Sequence, residues 1–524
     1  MSEVLFGQSY YLRFDPKLWE AMQPYPPLGS LYAASTVRSR GYDVDLFDAM
    51  LAGSETEWAL ALDRCRPRFA VLYEDNFNYL SKMCLLRMRQ AAFEMIAQAR
   101  RRGCTVIVSG SDASDHAEQY LARGADFVLI GEGETTLGEL LDQLTGRSHS
   151  PLEAIPGLAF FQPSTTRLFQ TPRRPDIKAL DDIPFPAWDL VDVSRYREIW
   201  LKKHGYFSMN MVTTRGCPFH CNWCSKPIWG QRYNVRSPEN VVAELKWLKE
   251  AYQPDHIWFV DDIMGLKPGW LRRFADLMEA GAARLPFKCL NRVDLLLREG
   301  EIEALKRAGC QIVWIGAESG SQKILDAMEK GTLVEQIYLA ARRLKAAGIQ
   351  AGFFLQFGYP GETTGDVEKT LQMVRDCLPD DIGMSVSYPL PGTRFYKSVE
   401  EQLGARQNWV DSNDLAMLYR GPFTTAFYRQ LHTVLHREFR ARKAWQRLST
   451  LPVRSSSSSN FQSLASKPPN PWKDLRVLLL NLASLPLARM KLRRLSRLPH
   501  QGLNLSVQSM PPEAAARPSD QAGD

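Results

Sequence analysis

Three cysteines in one short run, Cys217, Cys221 and Cys224, are the residues of this sequence best suited to metal chemistry. An odd number of thiols leaves one unpaired in any set of disulfides, and three thiolates are one ligand short of a closed tetrahedral zinc site. Iron–sulfur clusters are also bound by cysteine thiolates, and a cubane held by only three keeps one iron open to another ligand. The run therefore predicts a 4Fe-4S cluster with chemistry at its open iron.

The spacing Cys-x3-Cys-x2-Cys, with Trp223 just before the last cysteine, resembles the cluster loop of the radical SAM superfamily. This resemblance implies that the open iron binds S-adenosylmethionine and that an electron from the cluster cleaves it to a 5′-deoxyadenosyl radical. The three cysteines would then be both metal ligands and catalytic residues. The alternative is a zinc knuckle completed by His220 or by a distant ligand.

Short apolar runs alternate with amphipathic stretches over residues 1–145, which predicts a parallel α/β sheet of the doubly wound kind, with helices on both faces. The strand candidates are residues 4–8, 43–47, 69–73, 105–109 and 127–130. Ligands of such sheets bind at the carboxyl ends of the strands, where glycine lets the backbone approach closely. The candidate binding residues there are Pro27, Gly29, Ser109, Gly110, Gly131, Glu132 and Gly133.

This N-terminal series, placed ahead of the cysteine run, resembles the cobalamin-binding domain of B12-dependent radical SAM proteins. The resemblance implies a corrinoid on the strand ends, facing the cluster. The Asp-x-His-x-x-Gly run that places a histidine below cobalt in many cobalamin domains is absent, and His116 lacks that pattern. Asp112 stands where relatives often carry a histidine. We therefore expect cobalt without a protein histidine ligand.

A second βα series over residues 206–400 predicts a partial (βα)6 barrel of TIM type. A linker rich in Pro and Asp, residues 146–205, separates it from the first series. The barrel strand candidates are residues 208–213, 256–260, 287–290, 312–315, 352–357 and 383–388. The cysteine run follows the first of these strands, where a barrel carries its functional loops.

The loops after the later barrel strands contain the carboxylates and glycines that a sulfonium nucleoside needs. The candidates for contact with S-adenosylmethionine are Asp261, Asp262, Glu318, Ser319, Gly358 and Glu362. By the radical SAM resemblance, Asp261 or Asp262 contacts the methionyl amino group, and Glu318 contacts that group or the ribose. The turn from Gly358 to Glu362 and the Trp223 ring would hold the adenine. The alternative is that these residues cap helices.

The C-terminal part divides into a helical segment, residues 401–450, and a mostly disordered basic tail, residues 451–524. His432 and His436 would share one helix face, which a packed or solvated helix explains better than a metal site. In the tail, the stretch over residues 475–498 has an apolar part, residues 477–488, that is too short to cross a bilayer, and basic residues follow it. It predicts either peripheral contact with a membrane or a disordered arm.

Composition limits the class of protein and its partners. The 524 residues exceed one ordinary core and predict two or three domains. The net charge of +7 falls mostly on residues 451–524, where ten basic residues face four acidic ones, so no nucleic-acid partner is expected. Nine cysteines and no secretory leader predict a cytoplasmic protein, with peripheral contact at the inner membrane face if the tail binds lipid.

The resemblance implies a cobalamin-dependent radical SAM methyltransferase that acts on an unactivated carbon of a small molecule. Its partners would include a reductant such as flavodoxin or ferredoxin, and the membrane hypothesis makes a hydrophobic or lipid-like substrate plausible. A second hypothesis is an oxidative cyclase or rearrangement enzyme with the same cofactors. A third is a corrinoid-binding sensor with a structural cluster, against which the acidic loops argue, because such a cluster does not need them.

Overall fold

The N-terminal part of the protein is a seven-stranded sheet in a computed structural model that describes residues 2–83, 85–162, 165, 167–225, 228–281, 283–449 and 470–498. Its strands are β1 (Val4–Gly7), β2 (Val44–Leu46), β3 (Phe69–Tyr73), β4 (Thr105–Ser109), β5 (Phe127–Leu129), β6 (Leu158–Phe161) and β7 (Leu168–Gln170). The strand order is β2-β1-β3-β4-β5-β6-β7. The first five strands pair in parallel, and they are the five that the sequence predicts.

Helices cover both faces of this sheet because its strands are apolar on both sides. They are α1 (Pro16–Ala21), α2 (Leu28–Ser39), α3 (Glu55–Cys65), α4 (Tyr79–Lys82), α5 (Leu86–Arg101), α6 (Ser111–Asp115), α7 (Ala117–Ala122) and α8 (Glu134–Leu144). Val4 and Phe6 of β1 belong to the apolar cluster that includes α2 and α8. Leu5 belongs to the opposite cluster, with α3, α5 and α7. Ligand-accessible loops are thereby left at the strand ends.

The predicted linker, residues 146–205, is wrong in part because it contributes to the N-terminal sheet. Strands β6 and β7 extend the sheet in antiparallel fashion, and helix α9 (Val193–His204) follows. Phe160 of β6 packs on Phe127 and Phe169, with ring centroids 6.0 and 5.5 Å away. The two strands are short and lie beside Pro-rich turns, so their local composition does not predict strands. Their apolar contacts with the neighbouring strand are visible only in the folded structure.

The second sheet is the predicted half-barrel. Its strands are β8 (Ser208–Met211), β11 (His256–Phe259), β12 (Phe287–Asn291), β13 (Cys310–Glu318), β14 (Gln350–Phe357) and β15 (Asp381–Val386), and a small ribbon is made of β9 (Thr214–Arg215) and β10 (Asn234–Val235). The six large strands are all parallel and neighbour each other in chain order. All of their carboxyl ends therefore open on one side, which confirms the partial barrel.

Helices cover the outside of the half-barrel. They are α10 (Pro238–Tyr252), α11 (Trp270–Ala280), α12 (Val293–Leu296), α13 (Glu301–Ala308), α14 (Gln322–Ala327), α15 (Val334–Ala346), α16 (Thr364–Cys377) and α17 (Arg394–Val399). Val313 and Ile315 of β13 are completely buried in the core that these helices share. The alternate residues of each strand consequently face the barrel interior.

The C-terminal part is a pair of long helices, α18 (Thr425–Ser449) and α19 (Pro471–Leu495). The predicted helical segment therefore begins later than residue 401. The predicted disorder of residues 451–524 is wrong over Pro471–Leu495, because Leu478 and Ala488 of α19 are buried in the described structure. Residues 451–469 and 499–524 lie outside the described residues. Burial lowers the pKa of His432 on α18 to about 4, which fits a packed histidine.

Candidate active site

The cysteine run forms the loop between β9 and β10, directly after the first barrel strand. Cys221 is buried, Cys217 and Cys224 are half-buried, and all three are thiols. Among the described residues, no three His, Cys, Asp or Glu side chains are gathered so that they could hold a metal ion. Each thiolate of a cubane binds a different iron, and thiols spread along one loop suit that donor set.

Gly216 makes the turn that leads into Cys217. Its φ is +81°, and a Cβ atom there would clash with the carbonyl oxygen of Arg232. We expect Gly216→Ala to lower the iron and sulfide bound per chain after anaerobic reconstitution, because its Cβ would displace the Arg232 backbone of the same loop, beyond the cost of about 1–2 kcal/mol that any left-handed residue with a Cβ carries. Iron and sulfide assays measure the effect.

Gly230→Ala is the matched control for Gly216→Ala. Gly230 also lies in the loop between β9 and β10 and has φ +67°, but a Cβ atom added there would meet no described atom within 4 Å. It carries the same backbone cost without the clash. Equal losses of iron in both variants would show that the contact with Arg232 does not shape the cluster loop.

Asn222 fixes the middle of the cysteine loop to the C-terminal end of α14 and to the loop after β14. Its backbone N–H donates to the carbonyl oxygen of Met328 at 3.0 Å, and its Nδ2 donates to the carbonyl oxygen of Ala327 at 2.8 Å. The Tyr359 hydroxyl donates to Asn222 Oδ1 at 2.9 Å. Cys221 and Cys224 lie on either side of this residue, so the end of α14 and the loop after β14 help to set their positions.

Two cations lie close to Cys221. Arg292 Nη1 is 3.8 Å from Cys221 Sγ, and Lys330 Nζ donates to Glu318 Oε1 at 2.8 Å. Burial lowers the pKa of Lys330, but the charges of Glu318 and Cys221 outweigh it, and the net direction is upward. Arg292 and Lys330 thus place two positive charges around Cys221, one of the predicted cluster ligands.

Asp261 accepts hydrogen bonds from the residues that lead into the cysteine loop. Its Oδ1 accepts from the N–H groups of Thr213 and Thr214, both at 2.7 Å, and its Oδ2 accepts from the Thr213 hydroxyl at 2.8 Å. Burial raises its pKa to about 6 despite these hydrogen bonds. The predicted contact of Asp261 with a methionyl amino group therefore competes with three hydrogen bonds inside the protein.

Asp262 is the more accessible of the two neighbouring aspartates. Its Oδ1 lies 2.7 Å from Lys82 Nζ, and 29% of its side chain is exposed. Lys82 belongs to α4 of the N-terminal part, so this ion pair joins the two sheets at the mouth of the barrel. A cationic amino group at Asp262 would share the carboxylate with Lys82 or replace it.

Glu318 has the strongest geometric signature of a ligand-binding residue in the barrel. It ends β13 with φ +55°, a left-handed conformation that is unfavourable for a residue with a long side chain. Gly316 makes room for its carboxylate, since a Cβ there would lie 2.6 Å from both Glu318 Oε1 and Lys330 Nζ. The protein thus holds Glu318 at the barrel mouth at a cost in backbone energy.

Ser319, by contrast, has a structural role in the described contacts. Its hydroxyl lies 3.2 Å from Thr370 Oγ1 and accepts from the N–H of Ser321 at 3.1 Å. The Ser321 hydroxyl donates to Asp366 Oδ1 at 2.6 Å. These bonds pack the loop after β13 against α16, and the Ser321 side chain does not cap α14, so the capping alternative is wrong for this residue.

The turn from Gly358 to Glu362 is held by a buried carboxyl group. Glu362 Oε2 accepts from the Gly358 N–H at 2.8 Å and from the Tyr428 hydroxyl at 3.2 Å. Burial raises the pKa of Glu362 to about 8, and its Oε1 has no partner among the described residues. Tyr419 also donates to the Gly358 carbonyl oxygen. The C-terminal helix α18 therefore supports the turn through Tyr428.

The raised pKa of Glu362 predicts a pH-dependent contribution to stability. Because the folded pKa of about 8 lies above the usual value of about 4.3, this group stabilises the fold at low pH. Its contribution is lost as pH rises through 8, by up to about 1.4 kcal/mol per pH unit. We expect Glu362→Gln to remove this dependence. The melting temperature of the variant, relative to that of the wild type, should therefore rise as pH increases from 5 to about 8. Parallel melting curves across that range would contradict the assignment.

Buried ion pairs join the loop after β5 to the start of the cysteine loop. Arg215, two residues before Cys217, pairs with Glu132 and lies 2.8 Å from Glu134 Oε1. Glu132 Oε2 also accepts from the Ile177 N–H at 2.6 Å. Glu132 was predicted to bind a corrinoid, but its described contacts fasten the N-terminal sheet to the barrel.

The predicted glycines at the N-terminal strand ends let those loops pack on one another. A Cβ at Gly110 would lie 2.8 Å from Glu74, and one at Gly133 would lie 2.8 Å from Ser109 Oγ. The Gly29 N–H donates to Asp75 Oδ1 at 2.9 Å, and Gly131 adopts φ +81° beside Arg173. Residues 24–27 also reach the barrel, since Asn210 Nδ2 donates to the Pro26 carbonyl oxygen beside Pro27.

Several buried polar atoms gather at this edge without a partner among the described residues. They belong to side chains that follow β1, β3 and β4, namely Gln8, Tyr10, Glu74, Asn76, Ser109 and Ser111. Burial raises the pKa of Glu74 to about 7. Buried polar groups are normally hydrogen-bonded, so this set needs partners of the kind that water or a polar ligand supplies.

Asp112 is not one of these unpartnered groups. Arg89 donates to it through Nε and Nη2 at 2.7 and 2.5 Å, and the Tyr120 hydroxyl donates at 2.7 Å. These bonds outweigh burial and lower its pKa. His116 Nε2 lies 3.7 Å from Asp112 Oδ1. Asp112 is thus occupied by Arg89, and His116 is its neighbour at the junction of α6 and α7.

The barrel interior carries an aromatic surface. Trp314 of β13 and Phe354 of β14 stack with ring centroids 4.6 Å apart, and Phe354 is 38% exposed. Gly352 lies beneath the Trp314 ring, and Gly383 lies beside Phe354. Glycine at these two positions leaves the rings room to lie flat against the sheet. Trp314 lies on the same strand as Glu318, and this aromatic surface is deeper in the barrel than the Glu318 end of β13.

Comparison with known proteins identifies the class. Residues 211–374, which include the cysteines, Asp262, Glu318 and the Gly358 turn, match the Radical SAM superfamily. An uncharacterized methyltransferase from Pyrococcus horikoshii is 30% identical over 393 residues, which are 73% of this chain and 81% of that protein. The chain belongs to the radical SAM superfamily. The prediction that the protein is an enzyme is thereby confirmed.

Two further proteins resemble this radical SAM enzyme over most of its length. The anaerobic magnesium-protoporphyrin IX monomethyl ester cyclase of Rubrivivax gelatinosus is 25% identical and covers 72% of the chain and 67% of its own length. The radical S-adenosylmethionine methyltransferase TsrM of Kitasatospora setae, solved with cobalamin and a 4Fe-4S cluster bound, superposes with a TM-score of 0.62. It is 19% identical, covers 77% of this chain and 75% of its own, and shows a shared fold.

Four functional residues of this radical SAM enzyme were missed in the sequence. Arg215 and Tyr428 contact the predicted residues Glu132 and Glu362 from distant places in the chain. Lys330 pairs with Glu318, and Asn222 anchors the cysteine loop to Ala327. Arg215 and Asn222 lie in or beside the cysteine loop, so its polar residues were a signal that could have found them. Lys330 and Tyr428 sit on other elements, and nothing in their local pattern distinguishes them from surface or core residues.

Proposed function

We propose that this radical SAM enzyme is a cobalamin-dependent methyltransferase that acts on an unactivated carbon. The observation that carries the proposal is the cluster of unpartnered buried polar side chains at the N-terminal strand ends, joined to the cysteine loop by the Arg215 ion pairs. Sheets of the doubly wound kind bind ligands at the carboxyl ends of their strands, and here that edge is polar and lies beside the cluster loop, so it suits a second large cofactor. The names of the Pyrococcus and Kitasatospora proteins support methyl transfer.

Each cofactor has a set of residues that fits it. Cys217, Cys221 and Cys224 would hold the cluster, and Glu318 with the Gly358 turn would hold S-adenosylmethionine. When bound, the cluster supplies the electron that cleaves the sulfonium, and the corrinoid supplies the methyl group. The chain itself orients these groups: Asn222 fixes the loop, Lys330 holds Glu318, and Glu362 holds the turn.

The aromatic interior favours a hydrophobic small-molecule substrate. Trp314 and Phe354 present ring faces to the barrel below Glu318, and flat apolar surfaces recognise flat or extended apolar groups. We expect Phe354→Ala to raise KM for the substrate while leaving 5′-deoxyadenosine formation without substrate unchanged. An unchanged KM would remove the assignment of this surface. The electron donor in this proposal is a flavodoxin or ferredoxin.

A cyclase is the second candidate, because the Rubrivivax relative is named a cyclase and aligns with 72% of this chain. Methyl-labelled S-adenosylmethionine separates the two. The enzyme is reconstituted without oxygen using iron, sulfide and hydroxocobalamin, reduced, and supplied with hydrophobic candidate substrates. Label in the product supports methyl transfer. Turnover with 5′-deoxyadenosine but no label in the product overturns methyl transfer and supports the cyclase.

A further inference from the structure

Helix α19 exposes an unusually apolar face. Its large apolar side chains with more than a third of their surface exposed are Trp472, Leu475, Leu479, Leu480, Leu482, Leu487 and Met490. Trp472 is 81% exposed and Leu487 is 71% exposed. Contiguous apolar surface of this kind on a folded protein marks an interaction site.

The opposite face of α19 packs on α18, so the exposed apolar face is held pointing away from the rest of the protein. Leu478 packs with Ala441 and Ala444 of α18. Arg447 lies 2.7 Å from Asp474, and Arg489 lies 2.7 Å from Glu438. The helix is therefore apolar on both sides, with one side used within the protein and the other presented outward.

The charge around the exposed face has one sign. Asp474 is the sole acidic residue of α19, and it is buried and paired with Arg447. The exposed basic residues are Lys473, Arg476, Lys491, Arg493 and Arg494, with Arg497 just beyond the helix. At 100° per residue, Trp472, Leu479 and Met490 fall on the same side as Arg476 and Arg494. Apolar and cationic groups are thus interleaved on one surface.

We propose that this surface of α19 binds anionic lipid bilayers, with the helix lying in the plane of the membrane. Leucine, methionine and tryptophan side chains would enter the boundary between headgroups and acyl chains, and the arginine and lysine side chains would reach anionic headgroups. No helix in the described part of the chain is long and apolar enough to cross a membrane. The inference stands independently of the proposed methyltransferase activity, although it suits a hydrophobic substrate.

Vesicle co-sedimentation of the full-length protein tests the proposal. The probes are vesicles of phosphatidylcholine alone and vesicles in which about a third of the lipid is phosphatidylglycerol. We expect the protein to pellet with the anionic vesicles at least about tenfold more than with neutral ones, and less so as salt rises. Protein that stays in the supernatant with both compositions overturns the proposal.

Two double variants separate the apolar and cationic contributions. Leu479→Glu with Leu487→Glu should abolish pelleting, and Arg493→Ser with Arg494→Ser should weaken it on anionic vesicles only. All four side chains are exposed, so the melting temperature should be unchanged. Leu60→Glu is the matched control, because Leu60 is 63% exposed on α3 of the N-terminal part.

A second copy of the chain or the segment after α19 are the rival occupants of this surface. If light scattering gives a dimer that Leu479→Glu with Leu487→Glu converts to a monomer, and neither protein pellets with vesicles, a second copy occupies the surface and the lipid proposal is wrong. If removing residues 499–524 is needed before any pelleting occurs, the proposal that the intact protein binds lipid is likewise wrong.

Discussion

Cys221→Ala is expected to form no detectable 5′-deoxyadenosine. Cys221 is the buried member of the three cysteines and the one next to Arg292 and Lys330. Removing its thiolate leaves two ligands for a cluster, one fewer than the site needs. The rate of S-adenosylmethionine cleavage in the reconstituted, reduced enzyme should fall by at least about 10³-fold, the scale of losing an essential group. Liquid chromatography of the quenched reaction measures it.

Cys377→Ala is the control for this loss. Cys377 ends α16, is half-buried like Cys217 and Cys224, and lies outside the cysteine loop. It should retain the iron content and the 5′-deoxyadenosine yield of the wild type. A Cys221→Ala protein that kept both would refute the cluster assignment, and equal losses in the two variants would point to misfolding or general oxidation.

The secondary structure that the sequence predicts best is the part governed by local pattern. The parallel strands of both sheets were predicted because each is a short buried apolar run between amphipathic helices. Strands β6 and β7 were missed because they are short, and their partners lie elsewhere in the chain. Helix α19 was missed because it is apolar on two faces and contains Pro486, which removes the one-sided periodicity that predicts a helix.

The candidate site was predictable where residue type and spacing determine the chemistry. The three cysteines needed no tertiary information, since three thiols in one loop specify their ligand class. The acidic residues did need it. Asp261 and Glu318 look alike in sequence, but the first is surrounded by N–H donors and the second ends a strand in a strained conformation. Only the packing around a carboxylate decides whether it supports a loop or faces a ligand.

Glu132 illustrates the same limit in the N-terminal part. Its place between two glycines after a strand predicts a ligand contact, because glycine-rich strand ends bind cofactors in such sheets. Its partner Arg215 lies 83 residues further along the chain. A buried ion pair between distant residues has no local signature, so the sequence could not distinguish it from a binding residue.

Arg215→Met is expected to be strongly destabilising. Arg215 is 3% exposed and carries the positive charge opposite Glu132 and Glu134, so its loss leaves two buried carboxylates without a cation. Removing one partner of a buried pair costs about 3–5 kcal/mol. Burial already raises the pKa of Glu132, against the opposing charge of Arg215. The loss of stability should therefore be larger at pH 8 than at pH 5.5, where Glu132 takes up a proton more readily.

The rescue variant decides whether charge is the cause. Arg215→Met combined with Glu132→Gln and Glu134→Gln removes all three charges and should recover most of the lost melting temperature and its pH dependence. Arg38→Met is the surface control: Arg38 pairs with Asp189, with side chains 39% and 63% exposed, and such pairs contribute about 1 kcal/mol or less. If Arg215→Met costs no more than Arg38→Met, the ion pairs do not hold the N-terminal sheet to the cysteine loop. If it does cost more and the triple variant recovers stability but binds less iron, Arg215 also positions Cys217, two residues away.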